Sequence, residues 1–122
     1  MAAVMGFASA CSNGTKEAES VANDFLASYF ATDYQTAAGC CTEELGEALM
    51  TAVQEYYQME ENIQKDVVDI SSQVVTTITS VEAVAKDSVI VKYDIDMPDS
   101  EPTLHSTLTI TSVDGKWRVA EF

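Results

Sequence analysis

Basic side chains are scarce in this chain, which has six Lys and Arg against twenty Asp and Glu. The resulting net charge of −14 repels phosphate backbones and anionic membrane surfaces, so the composition disfavours nucleic-acid binding. Residues 11–70 hold twelve acids and two bases, whereas residues 71–122 hold eight acids and four bases. This distribution indicates a solvated acidic surface on the first half of the chain.

Glycine and proline are also few, at five and two residues, while 47% of the residues are apolar. These values favour a folded globule over a disordered chain. With 122 residues, the chain is long enough for one hydrophobic core and needs no second domain. Internal repeats and low-complexity tracts are absent from the sequence.

Clusters of metal-binding or nucleophilic side chains are missing as well. His105 is the only histidine, and the strand pattern around it points it outward among threonines with no evident partner. Cys40 and Cys41 are adjacent, which favours two small buried side chains over redox chemistry or a strained disulfide. The acids of residues 94–101 lack the central glycine and the spacing of a calcium loop. We therefore expect no metal, no cofactor and no catalytic residue.

The first ten residues carry no charge, and they end in Ala8-Ser9-Ala10 directly before Cys11. Small residues in this position are typical of the end of a secretory signal peptide. The charged start and the longer apolar region of a complete signal are missing, so we expect the true start to lie upstream of Met1. A membrane-spanning helix would need roughly 20 apolar residues, about twice the length of this stretch.

The stretch around Cys11 resembles the lipobox of bacterial lipoproteins, although it lacks the leucine that usually stands three residues before the Cys. The resemblance implies that Cys11 is the lipidated first residue and that a lipid anchors the protein to a membrane of the bacterial cell envelope. An ordinary Cys in a folded N-terminal segment is the alternative. We accordingly interpret residues 1–10 as a signal-peptide remnant, residues 11–16 as a polar tether and residues 17–122 as a single domain.

Helical periodicity dominates the first half of the chain. Apolar residues recur at steps of three and four over residues 18–30, which predicts the first helix. We expect a short second helix over residues 33–38, with Thr32 or Asp33 as its N-cap and Gly39 as its stop.

A third helix and a first strand should follow. Thr42 is placed to cap the third helix, whose apolar stripe fades in residues 59–65, where we expect the helix to end. Residues 73–85 are rich in Val, Thr and Ile, which predicts a long strand. The alternation of this strand slips near Ser80, which indicates a bulge.

The last third of the chain, residues 89–122, alternates between apolar and polar residues, with Ile90 as the exception, and predicts an antiparallel meander. Asp114-Gly115 between apolar runs is typical of a type I′ turn, which needs positive φ at both central residues. The turn sets a register that pairs Ile110 with Val119 and Leu108 with Glu121 on the inner face, and Thr109 with Ala120 and Thr107 with Phe122 on the outer face.

Three helices followed by four strands predict an α+β domain in which N-terminal helices pack on a curved antiparallel sheet. This order, with its short Asp-Tyr-x-x-Ala-Ala helix at residues 33–38 and its Asp-Gly-Lys-Trp-Arg-Val ending at residues 114–119, resembles the nuclear-transport-factor-2-like superfamily. The resemblance implies a cystatin-like, cone-shaped fold. More narrowly, the chain is similar to small, mostly uncharacterised lipoproteins of Gram-negative bacteria. It lacks the glycine of the inhibitory loop of true cystatins in residues 73–77.

The resemblance also implies where a site would lie. Enzymes of the ketosteroid-isomerase kind in this superfamily use a carboxylate base and a hydroxyl donor in an apolar pocket. Glu121 is the only acid on the inner face of the predicted meander. A ligand pocket at the open end of the cone would be lined by Tyr34, Tyr56, Tyr93, Trp117 and Glu121.

Three functions are compatible with these patterns. The first is a non-catalytic envelope domain that binds a small apolar ligand or a protein partner, and the second is a small enzyme that uses Glu121 as its base. The third is an assembly module that acts through the open face of the sheet. We also expect a weak homodimer through the outer face of the meander, with Ile90, Thr107, Thr109, Thr111 and Phe122 in the contact.

Overall fold

The computed structural model describes residues 12–98 and 102–122. Four helices precede four strands, which confirms the α+β class. The helices are α1 (Ser12–Phe30), α2 (Tyr34–Gly39), α3 (Glu43–Gln58) and α4 (Glu61–Gln73). The strands are β1 (Val75–Ala85), β2 (Ser88–Asp96), β3 (Leu104–Val113) and β4 (Lys116–Glu121), and they form one antiparallel sheet in the order β1-β2-β3-β4.

Helix α1 lies across one face of the sheet and contacts all four strands. It begins at Ser12, so residues 12–16, which we expected to be a tether, belong to the helix. Once packing fixes the apolar stripe, each residue added at the end gains a backbone hydrogen bond, which extends the helix beyond the stripe. Cys11 and residues 1–10 lie outside the described residues.

The predicted caps of α2 and α3 are confirmed. The Thr36 backbone N–H donates to Asp33 Oδ1 at 3.3 Å, and the Leu45 N–H donates to Thr42 Oγ1 at 3.4 Å. Each side chain thereby satisfies a backbone donor that the first turn of a helix leaves without an internal partner.

Helix α4 is absent from the sequence-based prediction, which ended the third helix by residue 65 and began a strand at residue 73. The chain instead breaks at Met59 and Glu60, where both residues adopt extended backbone angles, and a new helix runs to Gln73. Ile63, Val67 and Ile70 recur at the helical steps of four and three, a signal that the prediction missed, although Ile and Val have low helix propensity and none of the residues of this helix is buried.

The β3–β4 hairpin has the predicted turn. Asp114 and Gly115 have φ values of 52° and 80°, as a type I′ turn requires. The predicted bulge in β1 is also confirmed, because the register with β2 shifts between Ile78 and Ser80. Thr79 is therefore an extra residue of that strand, and a second shift between Ala83 and Ala85 makes Val84 another.

The predicted register of β4 is wrong beyond Val119. Ile110 pairs with Val119 as expected, but Thr109 pairs with Glu121, so Ala120 is an extra residue. Because side chains alternate between faces, one extra residue moves every later side chain to the opposite face. The expected pairs of Leu108 with Glu121 and of Thr107 with Phe122 do not form.

The core lies between α1 and the face of the sheet that packs against it, which we call the inner face. Phe25 of α1 is fully buried, and Leu49 of α3 and Cys41 complete the cluster from the side. Burial of these side chains is the main stabilising contribution to the fold. The strands contribute Val89, Val91, Tyr93, Leu108, Ile110 and Val119.

The two edges of the sheet differ. At the β4 edge, which we call the closed edge, Val119 N–H donates to Cys40 O and Thr42 N–H donates to Val119 O, both at 2.8 Å. Cys41 and Val119 thus form a parallel bridge. At the β1 edge, which we call the open edge, no described residue outside the sheet hydrogen-bonds to the strand.

Candidate functional site

The five residues of the predicted pocket do not come together. The rings of Tyr34 and Tyr56 meet at 5.7 Å, Tyr93 is buried on the inner face of β2, and Trp117 packs against the core from β4. Glu121 is exposed and pairs with Thr109 on the opposite face, which we call the outer face. The bulge at Ala120 therefore removes the only carboxylate that the isomerase-like hypothesis could use as a base.

The same bulge moves Phe122 from the outer face, where we expected it, to the inner face. Its ring meets those of Phe25 and Tyr29 at centroid distances of 5.0 and 5.4 Å. A large apolar residue at the end of the strand was the one sequence signal for this shift, because its burial is worth more than that of Glu121. Phe122 therefore cannot take part in the outer-face homodimer that we expected.

A row of aromatic rings links the core to the surface. Tyr29 stacks on Phe25 at 5.8 Å and meets Tyr34 at 5.5 Å, and the row ends at Tyr57, 5.2 Å from Tyr56. Edge-to-face contacts of this kind stabilise the packing between helices. We call this set the aromatic row, and it comprises Phe122, Phe25, Tyr29, Tyr34, Tyr56 and Tyr57.

The inner tyrosines of this row are weak acids. Burial raises the pKa of Tyr29, and the nearby Tyr93 adds to the effect. Burial likewise raises the pKa of Tyr34, with smaller contributions from Tyr29 and Tyr56. Both phenols are therefore protonated at neutral pH, so they can donate a hydrogen bond but cannot act as a base.

The two neighbouring cysteines are structural. Cys41 is buried, its Sγ lies 3.3 Å from the Ala37 carbonyl oxygen, and burial raises its pKa to about 11. Burial also raises the pKa of Cys40; Asp24 adds to this effect and Arg118 opposes it. Because the thiolate is the nucleophile, neither side chain is activated for chemistry near neutral pH.

Within the described residues, the outer face of the sheet carries a pair of titratable side chains that the sequence did not reveal. His105 Nδ1 lies 2.6 Å from Asp94 Oδ1, and the two residues are direct partners on β3 and β2. The expectation that His105 has no partner is therefore wrong. The β2–β3 register would have revealed the pair, but the sequence of residues 97–103 contains no short turn motif from which that register could be predicted.

A shallow cleft of about 490 Å³ surrounds this pair. Lys92 and Thr107 lie next to it on the same two strands, and Thr79 borders it from β1, where its hydroxyl donates to the Lys92 carbonyl oxygen. The His105 side chain is 77% exposed. The cleft therefore presents cationic, anionic and hydroxyl groups together, which suits hydrogen bonding to a polar surface.

A second cleft, of about 470 Å³, lies where the α2–α3 junction meets the β3–β4 hairpin. It contains Lys116 and Arg118, but Glu43 and Asp114 lie beside them and offset their charge. The Arg118 guanidinium also donates to the Gly39 carbonyl oxygen. This contact fastens α2 to the closed edge of the sheet.

The described part of the chain holds no group of three or more His, Cys, Asp or Glu side chains that could bind a metal ion. In the same residues, no helix combines the length and the apolar character needed to cross a membrane. The fold defines the class of protein as an α+β domain with helices on one face of an open antiparallel sheet. No protein-family model matches the chain, and no curated protein matches it closely enough to count as a relative.

Proposed function

We propose that this chain is a non-catalytic binding domain of a lipid-anchored protein of the bacterial cell envelope, and that it recognises a protein partner through the outer face of its sheet. The observation that carries the proposal is the contrast between the two faces. Helix α1 covers the inner face, whereas no described element packs on the outer face, where the cleft around Asp94 and His105 lies.

The packing of the inner face favours this function over binding of a small ligand in a cone. Phe25, Leu108 and Ile110 are fully buried there. A ligand between α1 and the sheet would have to displace side chains packed as in other protein interiors. The enzyme hypothesis is weaker still, since Glu121 lies on the other face.

The outer face has the chemistry of a polar recognition surface. Thr107, Thr109 and Thr111 form a row of hydroxyls along β3, flanked by the charges of Lys92 and Asp94 on β2. Interfaces of transient complexes are about as polar as the rest of a protein surface, and hydroxyls serve as both donors and acceptors. Binding of a second copy of the chain to this face is one outcome of the experiment below.

Site-specific photo-cross-linking in the native host tests the outer face. A photoreactive residue at Thr109 should give a cross-linked product of one defined mass, because a bound partner would cover that position. The matched control is Gln54, an exposed residue of α3, where we expect no such product. Equal products at both positions would contradict the proposal, and a product with twice the mass of the chain would identify the partner as a second copy.

The lipid anchor is supported by the small residues before Cys11 and by the absence of charge from residues 1–10. We expect the wild-type protein, expressed with its upstream region, to fractionate with membranes and to carry the mass of its acyl chains. The Cys11→Ala variant should be released and should lose that mass. A variant that stays in the membrane fraction without a change in mass would exclude acylation at Cys11.

A further inference from the structure

The open edge of the sheet is a long strand without a neighbour. β1 has eleven residues, more than any other strand, and its only described partner is β2. Alternate backbone N–H and C=O groups along such an edge point away from the sheet and are available to another strand. The closed edge lacks this property near Val119, because residues 40–42 occupy it.

The composition of β1 gives this edge little protection against pairing. Edge strands commonly carry several charges, a lysine or a proline. β1 has one charged residue, Glu82, and neither lysine nor proline. Val75 and Val84, near its two ends, are 58% and 54% exposed. Two features protect it, a bulge at Thr79 that bends the strand near its middle, which we call the central bulge, and a second irregularity at Val84 near its end.

We propose that this edge pairs with the same edge of a second copy of the chain, with the two β1 strands antiparallel and their central bulges facing each other. The pairing joins the four strands of each copy into one continuous sheet, with α1 of both copies on the same side. In this register, Val75 of one copy faces Val84 of the other, Thr76 faces Ala83, Thr77 faces Glu82, and Ile78 faces Val81.

The alternation of side chains selects this register. Directly opposite residues of antiparallel strands point to the same face, and the bulge changes the parity of β1 between Ile78 and Ser80. Over residues 75–84, a register keeps inner residues opposite inner residues only when the two central bulges meet. The self-pairing then buries Val75 and Val84 against each other twice, once on each side of the two-fold axis.

Charge also favours this register. Glu82 faces Thr77 of the other copy, whereas a register centred on Glu82 would place two like charges opposite each other, which is destabilising. Each copy carries a net charge of −14, so repulsion between the whole chains opposes association. We therefore expect a dimer that strengthens as salt screens this repulsion.

Sedimentation equilibrium at low and high salt tests the dimer, with Val84→Lys as the disruptive variant. Val113→Lys is the matched control, because Val113 is a similarly exposed valine that lies on β3, away from the open edge, and the change in charge is identical. We expect Val84→Lys to weaken dimerisation by about tenfold or more and Val113→Lys to leave it nearly unchanged. A wild-type chain that stays monomeric at millimolar concentration and high salt, or equal effects of the two variants, would overturn the proposal.

Disulfide trapping tests the register. The variants Thr77→Cys and Glu82→Cys should form an intersubunit disulfide when mixed and oxidised, but not when either is oxidised alone, because each position faces the other across the dimer. The control is Thr109→Cys on the outer face, which should give no self-disulfide. Peptide mapping distinguishes these products from any that involve Cys40 or Cys41. No disulfide in the mixture would refute edge pairing, whereas a self-disulfide of Thr109→Cys would report contact through the outer face, which does not involve β1.

Discussion

The two edges of the sheet show how a short connection can decide whether the backbone of an edge strand has a hydrogen-bonding partner outside the sheet. At the closed edge, the three residues between α2 and α3 pair with β4, and Val119 and Cys41 are buried as a result. At the open edge, the connection from α4 runs directly into β1, and no described residue outside the sheet hydrogen-bonds to this strand. A connection that hydrogen-bonds back to the sheet removes an edge, whereas a direct one leaves it open.

Close packing of α2 and α3 positions the closed edge. Gly46 is buried in the first turns of α3, where a Cβ would lie 3.2 Å from the Ala38 carbonyl oxygen of α2. A glycine at this position allows the two helices to approach closely and holds residues 40–42 against β4. The open edge has no comparable support in the described chain, since no residue of α4 is buried.

The largest difference in stability should appear when one valine at each edge is replaced by alanine. Val119→Ala removes two fully buried methyl groups and should lower the free energy of unfolding by about 2 to 3 kcal/mol. Val84→Ala, at a position that is 54% exposed, should lower it by less than about 1 kcal/mol. Urea unfolding followed by circular dichroism gives both values. Similar losses would mean that the two valine side chains are equally buried in solution.

A smaller effect should follow from the cap that begins α3 at the closed edge. Thr42→Ala removes the side-chain acceptor for the Leu45 N–H and should destabilise the fold by about 1 kcal/mol. Thr51→Ala is the control, because Thr51 is exposed in the middle of α3 and its hydroxyl bonds only to Glu47 O. Its urea midpoint should be unchanged or slightly higher, since alanine has the better helix propensity. A loss as large as that of Thr42→Ala would show that the cap is not the cause.

Sequence patterns did not predict the closed edge, although they predicted most of the elements around it. The stripe of residues 18–30, the caps Asp33 and Thr42 and the Asp114-Gly115 turn depend on local patterns, and the structure confirms all of them. The pairing of residues 40–42 with Val119 joins segments that are distant in the sequence. No alternation or turn residue in so short a segment marks it as a strand.

The expectation that Glu121 lies on the inner face was wrong for a related reason. A single extra residue at Ala120 reverses the faces of Glu121 and Phe122, and β-bulges at the end of a short strand leave no periodic signal. The bulge in β1 was predictable because eleven residues provide enough alternation to show a slip. The pairing of Asp94 with His105 needed a register that only the three-dimensional fold supplies.

Alkaline pH should lower the stability of the fold, in part through Cys41 at the closed edge. The folded pKa of Cys41, about 11, lies above its ordinary value of 9.0, so its contribution to stability is complete below about pH 9 and is lost as the pH rises towards 11. The raised pKa values of Tyr29 and Tyr34 act in the same direction. The urea midpoint should therefore fall between about pH 8 and about pH 10.5, and it should fall less in Cys41→Ala. An equal fall in both proteins would assign the effect to the tyrosines and to Cys40, whose pKa burial also raises.

The smallest effect is expected on the outer face, at the pair that suggested a recognition surface. His105→Gln removes the contact with Asp94, but the His105 side chain is 77% exposed, and ion pairs between exposed side chains contribute little because water and salt screen them. The free energy of unfolding should change by about 0.5 kcal/mol or less. Thr107→Ala, beside it in the same cleft, should be equally neutral. If both variants keep their stability but either one loses the cross-link from position 109, the outer face is a surface used for recognition. A large loss of stability in His105→Gln would instead mean that the pair holds β2 and β3 together.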